Sequence, residues 1–89
     1  MLKKLLATLA LLYAAAAFAA VDVNQASAAD LDGIKGIGPA LSTRILEARK
    51  HGSFKDWHDL LARVKGIGQG NAAKYSAGGL TVNGEPFRK

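Results

Sequence analysis

The sequence predicts an all-α domain assembled from two copies of one unit, and three observations carry that prediction. The segment Ile34-Lys35-Gly36-Ile37-Gly38 returns thirty residues later as Val64-Lys65-Gly66-Ile67-Gly68, with Leu31 echoed by Leu61 and Arg44 by Lys74. Apolar residues beside each glycine pair recur at helical spacing, most regularly at Trp57, Leu60, Leu61 and Val64, an i, i+3, i+4, i+7 series. Glycine and proline fall where such helices must stop and start.

The first nineteen residues stand apart from this pattern. Lys3 and Lys4 precede an uncharged apolar run from Leu5 to Val21, and Ala17-Phe18-Ala19 supplies the small residues of a cleavage site before Ala20. Residues 1–19 therefore read as a secretory signal peptide, the run being shorter than the ~20 residues that a spanning helix needs. The alternative is an uncleaved segment that anchors the domain to the inner membrane; either way the domain is expected to work outside the cytoplasm.

From Ala20 onward 70 residues remain, enough for one small core. Cysteine is absent, which excludes disulfides and thiolate-bound zinc. With Lys3 and Lys4 removed, ten basic side chains face seven acidic ones, a net charge of +3. That excess suits a polyanionic partner without identifying one.

Each element follows from local signals. Val21 to Ala26 is a lead-in, and Ser27 is a cap for a helix that starts at Ala28, carries Asp30 in its first turn, buries Leu31 and Ile34, and stops at Gly36. Pro39, its φ already fixed, opens the second helix. There Leu41, Ile45, Leu46 and Ala48 point inward, Arg44, Glu47, Arg49 and Lys50 outward, and His51-Gly52 closes it. Ser53 is expected to cap the third helix, which Gly66 ends. The fourth runs from Gln69 to Ala77 and breaks at Gly78-Gly79, after which Leu80 and Val82 return to the core. The domain thus spans 20–82, and 83–89 is expected to be a flexible tail.

The two Lys-Gly-Ile-Gly bends are the candidate site. A Gly-x-Gly corner leaves backbone N–H groups uncovered, and the helix that follows adds its own unpaired N–H groups and positive dipole end, so an anion can be received there. A single copy is explained by the need to turn; the repeated lysine before it and the repeated basic residue after it are not. Lys35, Gly36, Ile37 and Gly38 form one cradle, and Lys65, Gly66, Ile67 and Gly68 the other. Ser42, Thr43 and Arg44 in the first unit and Asn71 and Lys74 in the second are candidate phosphate donors, Arg44 and Lys74 foremost. Trp57 belongs to the apolar stripe, so core packing is favoured over a base-stacking platform for it and Phe54. His51 and His58 form no i, i+4 histidine pair of the kind a helical metal site would want.

Each half resembles a helix-hairpin-helix motif, and the pair resembles the double helix-hairpin-helix domain of the ComEA family of competence DNA receptors, from Val21-Asp22-Val23-Asn24 through Leu80-Thr81-Val82. The resemblance implies an all-α tandem helix-hairpin-helix domain behind a signal peptide, with its halves related by a pseudo-twofold axis. It also implies sequence-independent binding of double-stranded DNA, soluble and periplasmic, in DNA uptake during natural transformation. Protein partners of that kind are components of a DNA-uptake pilus or of an inner-membrane channel. Related motifs often carry lysine two residues after the second glycine, where this chain has Ala40 and Gly70.

No nucleophile beside a base, no metal cluster and no paired carboxylates emerge from the sequence, so binding is expected rather than catalysis, without cofactor or small-molecule substrate. Neutralising about four to six phosphates would give a log affinity against log salt slope of roughly −4 to −5. Two other readings stay open: a scaffold that docks on another envelope protein, and the DNA-binding subunit of a nuclease complex.

Overall fold

A computed structural model describes residues 20–88. The expected signal peptide, residues 1–19, lies outside the described residues. In chain order the elements are β1 (Val21–Asp22), α1 (Ala28–Asp32), α2 (Pro39–Arg49), α3 (Trp57–Arg63), α4 (Gln69–Ala77) and β2 (Leu80–Thr81). The four helices fall where the repeat places them. The all-α expectation needs one amendment, because β1 and β2 form a parallel pair, Val21 opposite Leu80 and Asp22 opposite Thr81. Strands of two residues are too short for an alternating pattern to announce them.

Helix starts obey capping chemistry. At α1, Ser27 Oγ accepts from the Asp30 N–H at 3.1 Å and the Asp30 carboxylate accepts from the Ser27 N–H at 3.0 Å, a reciprocal box. The cap of α3 is Asp56, whose carboxylate accepts from the Asp59 N–H at 2.7 Å, and not Ser53 as expected. Aspartate satisfies an orphan amide and also complements the helix dipole. The Asp59 carboxyl is held below the ordinary aspartate range, chiefly by the Lys55 N–H that donates to it; slight desolvation opposes this and Arg63 assists.

Two helix ends come earlier than expected. Helix α1 ends at Asp32 with Gly33 as its cap, and α3 ends at Arg63 with Val64 extended, so Gly36 and Gly66 lie inside the connecting turns. The reason is the turn: the Ile34 and Val64 carbonyls accept from the Ile37 and Ile67 N–H groups, so these residues open the glycine turns while their side chains, 3% and 2% exposed, stay in the core.

The core is shared by both units. Leu31, Ile34 and Ile37 from the first join Leu60, Val64 and Ile67 from the second in one cluster, with Ile45, Ala72 and Tyr75 from the longer helices and Phe54, Leu80 and Val82. Fully burying each large side chain stabilises the fold by roughly 1.5–3 kcal/mol. Arg49, expected to face outward, is half-buried and donates to the Val23 and Ala26 carbonyls at 3.0 and 2.7 Å, tying α2 to the lead-in. Arg63 lies 4.4 Å from the Phe54 ring centroid and donates to the Ala48 and Gly52 carbonyls at 2.6 and 2.8 Å.

Residues 83–88, expected to be loose, are held in place. Val82 and Glu85 form a β-bridge, Trp57 Nε1 donates to the Glu85 carbonyl at 2.8 Å, and Phe87 sits edge-on to Trp57 with ring centroids 5.3 Å apart. Asn83, at φ +53°, donates to the Phe54 and Lys55 carbonyls. A segment of low apolar content is fixed here by one aromatic and by hydrogen bonds. Among the described residues no helix is long and apolar enough to cross a membrane.

Candidate nucleic-acid interface

Both connecting turns have the same construction. Ile37 N–H donates to the Ile34 carbonyl at 3.0 Å, and Ile67 N–H to the Val64 carbonyl at 3.5 Å. Gly36 and Gly66 occupy the third position at φ +95° and +100°, the sign that a type II turn requires there. Lys35 and Lys65 precede them with exposed side chains.

Gly38 and Gly68, extended at φ −102° and −104°, are the N-caps of α2 and α4. Neither helix start has a side-chain cap or an acidic residue in its first turn, whereas α1 and α3 have both. The contrast decides where an anion can bind. In α1 and α3 a carboxylate or hydroxyl already accepts from an orphan amide; in α2 and α4 those amides and the positive dipole end face outward uncovered. The N–H groups of Gly36, Gly38, Gly66 and Gly68 donate to no other group among the described residues. A Cβ added at Gly38 or Gly68 would meet no atom of the chain within 4 Å, which is the open space a phosphate oxygen needs.

The flanking donors are arranged crosswise. Thr43 and Arg44, from the first unit, line a shallow hollow with Glu47, His51 and the second unit's Lys65. Asn71 and Lys74, from the second unit, line another with Lys35, Gly36 and Tyr75. Each hollow therefore joins the turn of one unit to the long helix of the other.

Several candidate donors already have partners. Ser42 is 2% exposed and donates to Asp32 Oδ1 at 2.8 Å, so it belongs to the core and not to the surface. Thr43 Oγ1 donates back to the Pro39 carbonyl at 2.8 Å. Asn71 Nδ2 donates to the Gly66 carbonyl at 3.3 Å, and Arg44 Nη1 to the Lys65 carbonyl at 3.3 Å. Lys35, Arg44, Lys65 and Lys74 form no ion pair among the described residues, so their charges are not neutralised by carboxylates.

Tyr75 is a participant that sequence reasoning passed over. Its ring lies 3.0 Å from the position a Gly36 Cβ would take, and its hydroxyl donates to the Gly36 carbonyl at 3.4 Å. The repeat aligns Tyr75 with the core residue Ile45, and a hydroxyl on an apolar stripe signals a polar partner at the stripe's edge.

The helical domain thus carries paired glycine turns, each leading into an uncapped helix start beside a lysine. Residues 16–77 match the helix-hairpin-helix motif family, and the chain belongs to that family. The motif suggests non-specific DNA binding. Comparison with curated proteins and with solved structures gives no match.

Proposed function

We propose that this chain is a sequence-independent double-stranded DNA-binding protein of the cell envelope, similar to the ComEA competence receptors and acting as receptor or ratchet in DNA uptake during transformation. The observation that carries the reading is the pair of helix starts at Gly38 and Gly68, bare of capping side chains and of acidic residues, with Lys35 and Lys65 alongside. Each turn grips the phosphates of one strand: glycine and first-turn amides donate to phosphate oxygens, and Lys35 and Lys65, helped by Lys74, neutralise charge. Ile37 and Ile67 are buried and act by anchoring the turns from beneath.

Nothing in this arrangement reads base edges, so affinity depends on duplex form and not on sequence. It is a binding device rather than a catalyst, and no cofactor or small-molecule substrate enters. Export by the N-terminal segment would place it in the periplasm, where uptake-pilus or inner-membrane channel components are its partners.

Anisotropy of a labelled duplex tests the binding. Unrelated sequences are expected to bind alike, and log affinity to fall against log salt with a slope of roughly −4 to −5. A strong sequence preference, or binding insensitive to salt, would refute the reading. Loss of transformation on deletion of the gene, restored by the wild-type chain, tests the role in uptake.

A further inference from the structure

We propose that Arg44 serves the second DNA site as a positioning residue, holding the Lys65–Gly66 peptide so that the Gly66 N–H faces the ligand; the inference rests on the DNA-binding reading. Arg44 Nη1 donates to the Lys65 carbonyl at 3.3 Å, and the guanidinium lies 3.2 Å from where a Gly66 Cβ would stand. In a trans peptide the carbonyl and the following N–H point in opposite directions. Drawing the Lys65 carbonyl towards Arg44 therefore turns the Gly66 N–H away from it, and that N–H has no partner among the described residues.

A turn of this kind can flip its central peptide by compensating rotations about two bonds, which would withdraw the donor. The guanidinium resists the flip because it holds the carbonyl from a rigid support: Arg44 sits in mid-α2, one residue from the fully buried Ile45. Asn71 holds the next carbonyl, that of Gly66.

The first turn lacks this device. Tyr75 holds the Gly36 carbonyl, but no side chain donates to the Lys35 carbonyl among the described residues. Arg44 therefore sets the second site and links it to α2, the helix whose own start forms the first site.

A phosphate contact and a positioning role predict different results for R44Q and R44K. Under positioning, both variants weaken duplex binding by a similar factor, roughly three- to tenfold, as loss of one hydrogen bond implies. The salt slope of each stays within about 0.3 of wild type, because no phosphate partner is lost. In the DNA-free protein the Gly66 amide resonance moves in both variants while Gly36 stays fixed. Under a phosphate contact, R44K restores affinity, R44Q lowers the slope by about 0.9, and the free Gly66 resonance is unmoved; that combination overturns the proposal. Unfolding is checked by the dispersion of the same spectra, and R44K keeps the charge and stem of an exposed residue. If the wild-type protein bound no duplex, the DNA reading would fail by itself, and the free-protein spectra would still decide whether Arg44 holds the Lys65–Gly66 peptide, an unmoved Gly66 resonance ruling it out.

Discussion

Asn24 and Phe54 occupy equivalent positions thirty residues apart in the repeat and are joined by two hydrogen bonds: Asn24 Nδ2 donates to the Phe54 carbonyl at 2.9 Å, and the Phe54 N–H donates to Asn24 Oδ1 at 2.8 Å. Such contact between equivalent residues is what a pseudo-twofold relation of the two units would predict near its axis. The side-chain amide imitates one rung of a β-ladder and fastens the two units at that point. Asn24→Ala would leave the Phe54 N–H without its partner and is expected to cost about 2–3 kcal/mol by chemical denaturation. Duplex affinity of the folded fraction should not change, since Asn24 hydrogen-bonds with Asp22, Phe54 and Asn83 and with no residue of either turn.

The glycines divide into two kinds, and alanine should separate them. At Gly36 and Gly66 positive φ opposes any Cβ, and at Gly36 the added carbon would meet Tyr75 at 3.0 Å. Each of these alanines is expected to destabilise the protein by roughly 1–2 kcal/mol. Gly38 and Gly68 are extended N-caps with open space around them, so alanine there should cost no more than its poorer capping preference, about 1 kcal/mol. Duplex binding should nevertheless weaken, because the new methyl occupies the phosphate's place.

Gly68→Asp pushes the same logic further. The carboxylate would cap α4 as Asp56 caps α3, raising stability by a few tenths of a kcal/mol, while it occupies the free amides and repels phosphate. A variant that melts later and binds DNA poorly is the expected outcome; tighter binding would contradict phosphate capture at this helix start.

Most of the fold was legible because glycine spacing and helical periodicity are local signals. The repeat located four helices, and Pro39, Gln69 and Ala77 fell at the boundaries expected of them. What escaped was long-range. The β1–β2 pair joins Val21 to Leu80, and the fixing of Asn83 and Phe87 depends on Phe54, Trp57 and Ser76, none of which a short window contains. The turns of the candidate site were legible in the spacing of its glycines and lysines. Its crosswise assembly was not, since only folding shows that Arg44 reaches Lys65 and that Tyr75 covers Gly36.

Each lysine should register in the salt dependence. K35Q and K65Q are expected to lower the magnitude of the slope by about 0.9 each and nearly additively, measured by duplex titration across a salt series. Equal effects on unrelated sequences would confirm contact with the backbone rather than with bases.

Acid stability should depend on Asp59. Its carboxyl is depressed by the Lys55 N–H, with help from Arg63, so it stabilises the native state while ionised, and that contribution fades as pH falls below about 4 through its lowered value. D59N should lower the melting temperature at neutral pH and flatten the decline in acid. Identical acid limbs in the two proteins would contradict it.

The most direct measurement is an amide NMR titration of the protein with unlabelled duplex DNA. Phosphate capture predicts that the Gly36, Gly38, Gly66 and Gly68 resonances move first and together, with Ala40 and Gly70 following. Shifts confined to residues outside both turns and the helix starts that follow them, such as Asn24, His58 and Phe87, or none at all in dilute buffer, would contradict it.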